Sequence, residues 1–113
     1  MPRYDGRGIQ AYLCDRAAEY VWPMRVLDLS QGGISLVTNH RLPLGTTATL
    51  KLYNPVPNFW CTCQVQVVYA IKQADGRFRL GGRFVADLSD AELALLCGAN
   101  EPGQAVDPVG LVT

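Results

Sequence analysis

Residues 60–85 decide the fold class and read WCTCQVQVVYAIKQADGRFRLGGRFV. Apolar residues stand at every second position from Cys61 to Ile71 within the stretch Trp60–Lys72, which predicts one long β-strand. Asp75-Gly76 is a strong signal for a tight hairpin turn, and the stretch Arg77–Val85 that follows predicts the returning strand. This part of the chain is therefore predicted to be an antiparallel β-hairpin.

Outward from this hairpin, the same reasoning predicts four earlier strands and one later helix. Ser89-x-x-Glu92 is a capping box, which predicts a helix over residues 89–97 that Gly98 ends. A turn is predicted over Asp15–Ala18. The earlier strands are predicted over residues 9–13, 24–29, 34–38 and 48–53. Six short strands with one closing helix predict an all-β fold, a small six-stranded antiparallel barrel, although an open sandwich has the same periodicity.

Length and composition predict one globular domain. The chain has 113 residues, of which 49% are apolar and 18% charged. It contains no apolar run of 18 residues and no apolar stretch at its start, so we expect no membrane insertion and a cytoplasmic location. We divide the chain into a flexible arm over residues 1–8, the barrel and helix over 9–97, and a loose acidic tail over 98–113.

The charges are unevenly distributed although the net charge is zero. All ten basic residues lie in residues 1–86, which carry a net charge of +5, and residues 87–113 carry −5. Eight of the ten bases are Arg, whose planar guanidinium suits phosphates and base edges. A mixed, solvated surface is an equally good interpretation of the charges alone.

Enzymatic and metal chemistry are disfavoured. Cys61 and Cys63 lie two apart in a strand, so they share one face and continue an apolar row with Val65, Val67, Tyr69 and Ile71. Buried thiols are favoured over a metal or redox site, and we predict no metal and no cofactor. The single histidine, His40, has no catalytic motif around it, and no phosphate-binding glycine loop is present. The sequence therefore favours a binding module, not an enzyme.

Two motifs could build a ligand site. The first is Arg3-x-x-x-Arg7 in the arm. The second is Asp28-x-Ser30-x-x-Gly33, with Gly32 beside it, where one strand ends and the next begins. A carboxylate can accept hydrogen bonds from a guanine edge, and a hydroxyl and glycine-turn amides can donate to phosphate. An ordinary strand-end turn is the alternative for the second motif.

Together, and in this order, the two motifs resemble the PilZ domain, a bacterial receptor module for cyclic di-GMP. The segment Arg79-Leu-Gly-Gly-Arg83-Phe is similar to the last core strand of that family, and Leu88-Ser-Asp-Ala-Glu resembles its closing helix. The resemblance covers roughly residues 3–97. It implies a six-stranded antiparallel barrel with a C-terminal helix.

The resemblance also implies a ligand and a role for each motif. Arg3 and Arg7 would clasp the phosphates and guanine edges of cyclic di-GMP, as Arg reads guanine in DNA. Asp28 and Ser30 would hold the other side of the ligand, and Gly32 and Gly33 would form the turn. Arg79 and Arg83 could add ligand contacts, and two solvated side chains are an equally good interpretation.

We expect ligand binding to order the arm and present a new surface to a downstream protein partner, in motility or biofilm control. DNA is not an expected partner. The alternative is a protein-interaction module of the same fold, in motility or pilus control, that does not bind nucleotide. A thiol-dependent or metal-binding protein using Cys61 and Cys63 is a third, weaker interpretation.

Overall fold

The computed structural model describes residues 2–14 and 20–97, and these ranges contain seven strands and one helix. The predicted turn over Asp15–Ala18, Gly98 and the tail over 98–113 lie outside the described residues. The elements are β1 (Tyr4–Asp5), β2 (Gln10–Cys14), β3 (Tyr20–Leu29), β4 (Gly33–Thr38), β5 (Thr47–Asn54), β6 (Phe59–Lys72), β7 (Phe78–Phe84) and α1 (Asp90–Cys97).

Strands β2 to β7 form a closed antiparallel barrel. They follow one another in the order β3, β2, β5, β6, β7, β4, and β4 pairs back onto β3. The predicted six-stranded barrel is therefore confirmed, and the open sandwich is wrong. Strand β1 is an addition that the sequence did not reveal. It pairs with the end of β3, where Tyr4 lies opposite Leu29 and Asp5 lies opposite Asp28.

The interior of the barrel is apolar. Leu29, Leu50 and Leu52 are fully buried, and Phe84 is nearly so. Each such side chain contributes about 1.5–3 kcal/mol relative to an exposed position. This core needs no covalent cross-link, and the four cysteines, all of which lie in the described ranges, form no disulfide.

Helix α1 packs against β5 and β6 through Leu96, which is fully buried in the same core. The predicted capping box forms: the Ser89 hydroxyl accepts from the Glu92 amide at 3.0 Å, and the Glu92 carboxylate accepts from the Ser89 amide at 2.9 Å. At the other end, the Asn54 side-chain amide on β5 donates to the Leu96 carbonyl at 2.9 Å. Hydrogen bonds from side chains thus satisfy backbone groups at both ends of the helix.

A bulge in β3 moves Asp28 to the outside of the barrel. Val26 pairs with Leu36 inside the barrel, but the register then shifts, so that Asp28 pairs with Ser35 on the outer face. Met24, Val26 and Asp28 stand at alternate positions, which predicts that their side chains share one face, and this prediction is wrong for Asp28. Without the extra residue, strict alternation would direct this carboxylate into the apolar core.

A second bulge, in β6, corrects the predicted inward row. Cys61, Val65 and Val67 are buried as predicted, but the register shifts between Val67 and Tyr69. Tyr69 then lies on the outer face, and Ile71 is 56% exposed. The bulge thus places an aromatic ring on the same outer surface as Asp28.

Candidate functional site

The turn between β3 and β4 is held by its own backbone and by one hydroxyl. The Ser30 amide donates to the Gly33 carbonyl at 2.8 Å, and the Ser30 hydroxyl accepts from the Gly33 amide at 3.2 Å. A Cβ on Gly33 would lie 2.8 Å from the carbonyl oxygen of Gly82 on β7, so only glycine allows this close approach. The turn is further fixed to the end of β7, because the Phe84 amide donates to the Gly32 carbonyl at 2.9 Å.

Arg3 joins the two predicted motifs. Its Nε donates to Asp28 Oδ1 at 2.7 Å, and its Nη2 forms an ion pair with the same oxygen. Its Nη1 lies 3.3 Å from Ser30 Oγ. The side chains of Arg3 and Asp28 are 46% and 33% exposed, so a ligand approaching from solvent can reach both. Arg3 therefore forms one polar cluster with Asp28 and Ser30, which lie 25 and 27 positions later in the sequence.

Arg7 does not reach this cluster and pairs instead with Asp5. Asp5 Oδ1 accepts from the Arg7 amide at 2.7 Å, and Oδ2 accepts from Arg7 Nε at 3.0 Å. Arg7 lies on a four-residue turn that the Ile9 amide closes onto the Gly6 carbonyl at 3.0 Å. The contacts of the described residues thus place Arg7 with Asp5, and its predicted role in ligand binding stays a prediction.

The arm that carries both arginines lies along β3. The Gly6 amide donates to the Leu27 carbonyl at 3.0 Å, and a Cβ on Gly6 would lie 2.5 Å from Val26 Cγ1. Gly8 has a φ of +87°, the left-handed conformation that favours glycine. Gly6 thus allows the arm to pack closely against β3, and Gly8 allows the turn that carries Arg7. Flexibility of the arm stays a prediction.

The outer face of β4, β7 and β6 continues the site. Ser35 pairs with Gly81, and Gly81 pairs with Tyr69, so these residues extend the row that begins at Asp28. The Tyr69 ring lies directly over Gly81, where a Cβ would be 2.0 Å from a ring carbon, and its hydroxyl lies 3.3 Å from Ser35 Oγ. The row therefore combines a carboxylate, two hydroxyls and an aromatic ring.

Arg79 and Arg83 lie on either side of this row. Arg83 pairs with Gly33 and Arg79 pairs with Val37, so both side chains project from the outer face of β7, and both are exposed. Their positions on this face agree with the prediction of additional ligand contacts, which stays a prediction.

A cavity of about 440 Å³ lies beside the arm. Asp5, Arg7 and Arg25 line it, together with backbone and apolar residues of the arm and β3. Its volume falls within the range of small-molecule sites, about 300–1,000 Å³. Arg25 adds a third guanidinium near the arm, and neither motif includes it.

A second cavity, of about 320 Å³, lies near the start of α1 and is lined by Cys61, Cys63 and Glu92 among others. Burial raises the pKa of Cys61 to about 11 and that of Cys63 to about 12, and the Glu92 carboxylate adds to both shifts. Thiols with such pKa values stay protonated at neutral pH, which disfavours nucleophilic and metal chemistry. Within residues 2–14 and 20–97, no three His, Cys, Asp or Glu side chains lie close enough together to hold a metal ion.

Sequence reasoning missed three residues of this surface: Asp5, Arg25 and Tyr69. Asp5 had a usable signal, because Asp side chains in turns accept hydrogen bonds from the backbone two residues on, here the Arg7 amide. Tyr69 had none, because strict alternation places it inside and no residue type marks the bulge. Arg25 lies in a predicted strand, and no motif distinguishes it from any other outward-facing polar residue.

Comparisons with known proteins give one family. The family model for the PilZ domain matches residues 7–97, a range that includes Arg7 and the Asp28–Gly33 motif and begins after Arg3. No curated protein matches the chain. No helix in the described part of the chain is long and apolar enough to cross a membrane.

Two solved structures share the fold. The Bacillus subtilis inhibitor of motility MotI (DgrA) has a TM-score of 0.66 and 15% identity; the match covers 84% of this chain and 46% of that one. The present chain thus spans less than half the length of MotI. The PilZ domain of YcgR from Escherichia coli, solved with cyclic di-GMP, has a TM-score of 0.57 and 16% identity over 82% of each chain. At these identities the likeness is one of fold.

Proposed function

The chain belongs to the PilZ domain family, and on that premise we propose that it binds cyclic di-GMP and acts as a bacterial second-messenger receptor or adaptor. The proposed site is the outer face of β3, β4 and β7 together with the arm. The family supports the ligand class, and the arrangement of this chain's own residues supports the location.

One observation carries the proposal: Arg3 contacts both Asp28 and Ser30. The two motifs are separated in sequence. Their contact on an exposed surface favours a shared role. The contact holds the Arg3 guanidinium and the Asp28 carboxylate together on an exposed face, where both can form charge-assisted hydrogen bonds with a charged ligand.

Each group has a proposed role that follows from its chemistry. The guanidinium groups of Arg3 and Arg7 bind phosphates and the O6 and N7 edge of guanine. The Asp28 carboxylate accepts from the guanine N1–H and N2–H₂ groups, since it has acceptors only. The turn over Ser30, Gly32 and Gly33 holds Asp28 at the edge of the ligand.

The neighbouring groups on the outer face extend the proposed site. Tyr69 offers a ring for base stacking, and Arg79 and Arg83 add positive charge. The two phosphates carry the negative charge of the ligand, which the arginines complement, and Asp28 complements the hydrogen-bond donors of a guanine base.

The proposed output is a change of surface, not a reaction. Ligand binding would order the arm, and the ordered arm would form part of a contact for a downstream protein. We propose that the protein is not an enzyme, needs no cofactor and does not bind DNA. The proposed location is the cytoplasm. Motility and biofilm control are the proposed context, since the similar chain MotI is an inhibitor of motility.

A second candidate function is a protein-interaction module that does not bind nucleotide. An exposed aromatic cluster on the outer face of β2, β5 and β6 favours it. The rings of Tyr53 and Trp60 stack at 4.2 Å, Tyr12 lies 6.1 Å from Trp60, and Trp60 is 47% exposed. Trp and Tyr are enriched in protein interfaces. The cluster is also compatible with a receptor that uses it for the downstream partner.

Chemical-shift mapping with two cyclic dinucleotides tests the proposal. Cyclic di-GMP should shift backbone amide signals of the arm, of residues 28–33 and of β7, and leave the aromatic cluster unchanged. Cyclic di-AMP has the same phosphates without the guanine edge, so it should shift these signals much less. No shift at about 100 μM cyclic di-GMP, or equal shifts with both ligands, would contradict specific binding.

A further inference from the structure

We infer that Asp5 restrains Arg7 in the ligand-free protein and thereby limits the affinity of the site for its anionic ligand. The inference rests on the proposed function and adds a residue that belongs to neither motif. Asp5 lies midway between the two arginines of the arm, in the sequence Arg3-Tyr4-Asp5-Gly6-Arg7.

The restraint is geometric. The Asp5 carboxylate accepts two hydrogen bonds from one residue: Oδ1 accepts from the Arg7 amide at 2.7 Å and Oδ2 accepts from Arg7 Nε at 3.0 Å. The Arg7 side chain is 81% exposed, so this carboxylate is what orients the guanidinium toward the arm. A phosphate that binds through Arg7 Nε must displace the carboxylate.

The charged residues of the neighbouring cavity also support a role for Asp5 in limiting the affinity. Among the described residues that line the 440 Å³ cavity, Asp5 is the only acid, and Arg7 and Arg25 are the bases. Removing the charge of Asp5 would leave this cavity purely cationic. A dianionic ligand would then meet less repulsion as well as a freer Arg7.

Asp5 also differs from Asp28 in what it can contribute. The two carboxylates lie opposite each other across β1 and β3, and each is paired with one arginine of the arm. Asp28 lies in the row that continues over Ser35 and Gly81, where a base could meet it. Asp5 lies on the edge strand β1 and is engaged with Arg7, so for an anionic ligand it is a competitor.

The chain supplies a matched control. In the turn between β6 and β7, Asp75 holds Arg77 in the same way: Oδ1 accepts from the Arg77 amide at 2.9 Å and Oδ2 accepts from Nε at 2.9 Å. Asp75→Asn therefore removes the same charge and the same type of ion pair, in the turn before β7, whereas the Ser30–Gly33 turn lies at the other end of that strand. If only Asp5→Asn changes the affinity, the effect depends on the position of Asp5. It then comes neither from the lost negative charge alone nor from the loss of this type of turn contact.

Two measurements test the inference. The first is calorimetric titration of cyclic di-GMP into wild type, Asp5→Asn and Asp75→Asn at about 50 mM salt, where surface charges are weakly screened. Exposed ion pairs are weak, so Asp5→Asn should bind about two- to fivefold more tightly than wild type. Asp75→Asn should bind as wild type does. Asparagine keeps an acceptor for the Arg7 amide, so the turn should persist.

The second measurement is water exchange of the Arg7 Nε–H proton by NMR, without ligand. It should be slow in wild type and in Asp75→Asn, and fast in Asp5→Asn. Unchanged or weaker binding by Asp5→Asn overturns the inference, as does equal exchange in wild type and Asp5→Asn. A wild type that does not bind, beside an Asp5→Asn protein that does, contradicts the proposed function of the natural chain and supports the restraint. If neither binds, both ideas fail.

Discussion

Replacement of Arg3 by alanine tests the assembly of the site at its central contact. Arg3 donates to Asp28 through Nε and Nη2 and lies within hydrogen-bonding distance of Ser30. It precedes the two-residue strand β1 and does not belong to the buried core. The substitution therefore removes polar contacts and leaves the packing of the barrel unchanged.

The expected cost to stability is small because the contact is exposed. The Arg3 and Asp28 side chains are 46% and 33% exposed, and such surface pairs contribute about 0.2–1 kcal/mol. For a domain of this size the melting temperature should fall by no more than about 8 °C. The cost to binding is larger, because one lost charge-assisted hydrogen bond costs about 1.5–3 kcal/mol. This corresponds to about 10- to 150-fold in affinity for cyclic di-GMP.

Titration calorimetry gives the affinity, and thermal melting by circular dichroism gives the stability of the same samples. Arg77→Ala is the control, because Arg77 also forms an exposed ion pair with an aspartate, Asp75, but in the β6–β7 turn. It should leave the affinity within about twofold of wild type, since only bulk charge changes. Equal weakening by both substitutions would refute the reasoning, because it would mean that a diffuse basic surface binds the ligand.

Three further predictions concern the turn, the thiols and the helix cap. Gly33→Ala should lower the melting temperature and weaken binding, because its Cβ would lie 2.8 Å from the Gly82 carbonyl oxygen; an unchanged melting temperature would contradict this. Cys61 and Cys63 should react with a thiol reagent at pH 8 more slowly than the thiols of the unfolded chain, because their raised pKa values leave little thiolate, and a chelator should not change the melting temperature. Burial raises the pKa of both thiols above the unfolded value of 9.0, so the free energy of unfolding should fall as pH rises above about 9, which pH-dependent denaturation would show. Ser89→Ala should reduce the free energy of unfolding in urea by about 0.5–2 kcal/mol, and no reduction would mean that the cap is dispensable.

Most of the architecture could be predicted from local patterns. The hairpin at Asp75-Gly76, the alternating strands and the capping box at Ser89 each depend on neighbouring residues, and each forms as predicted. Closure of the barrel could not be derived in this way, because the pairing of β3 with β4 and the wrapping of the sheet are long-range. The resemblance to the PilZ family supplied that step.

The two bulges mark the limit of sequence reasoning. Strict alternation places Asp28 and Tyr69 inside the barrel, and one extra residue in each strand turns them outward. Neither bulged segment contains a glycine, and the apolar run over residues 67–71 does not show which of its side chains face inward. The motif of Arg3, Asp28 and Ser30 was predicted as one site and its side chains meet. Arg7 was predicted to bind the same ligand, which stays a prediction, and its pairing with Asp5 depends on the geometry of the turn, which the motif spacing alone does not show.

Titration of cyclic di-GMP into the wild-type protein tests the central claim most directly. We predict a dissociation constant of about 0.1–10 μM, since a few charge-assisted hydrogen bonds supply roughly −8 kcal/mol after ordering costs. Cyclic di-AMP in the same cell should give at least about tenfold weaker binding, because the guanine edge is missing. No heat and no chemical-shift change at about 100 μM cyclic di-GMP would contradict the account and leave the protein-interaction module as the function of this chain.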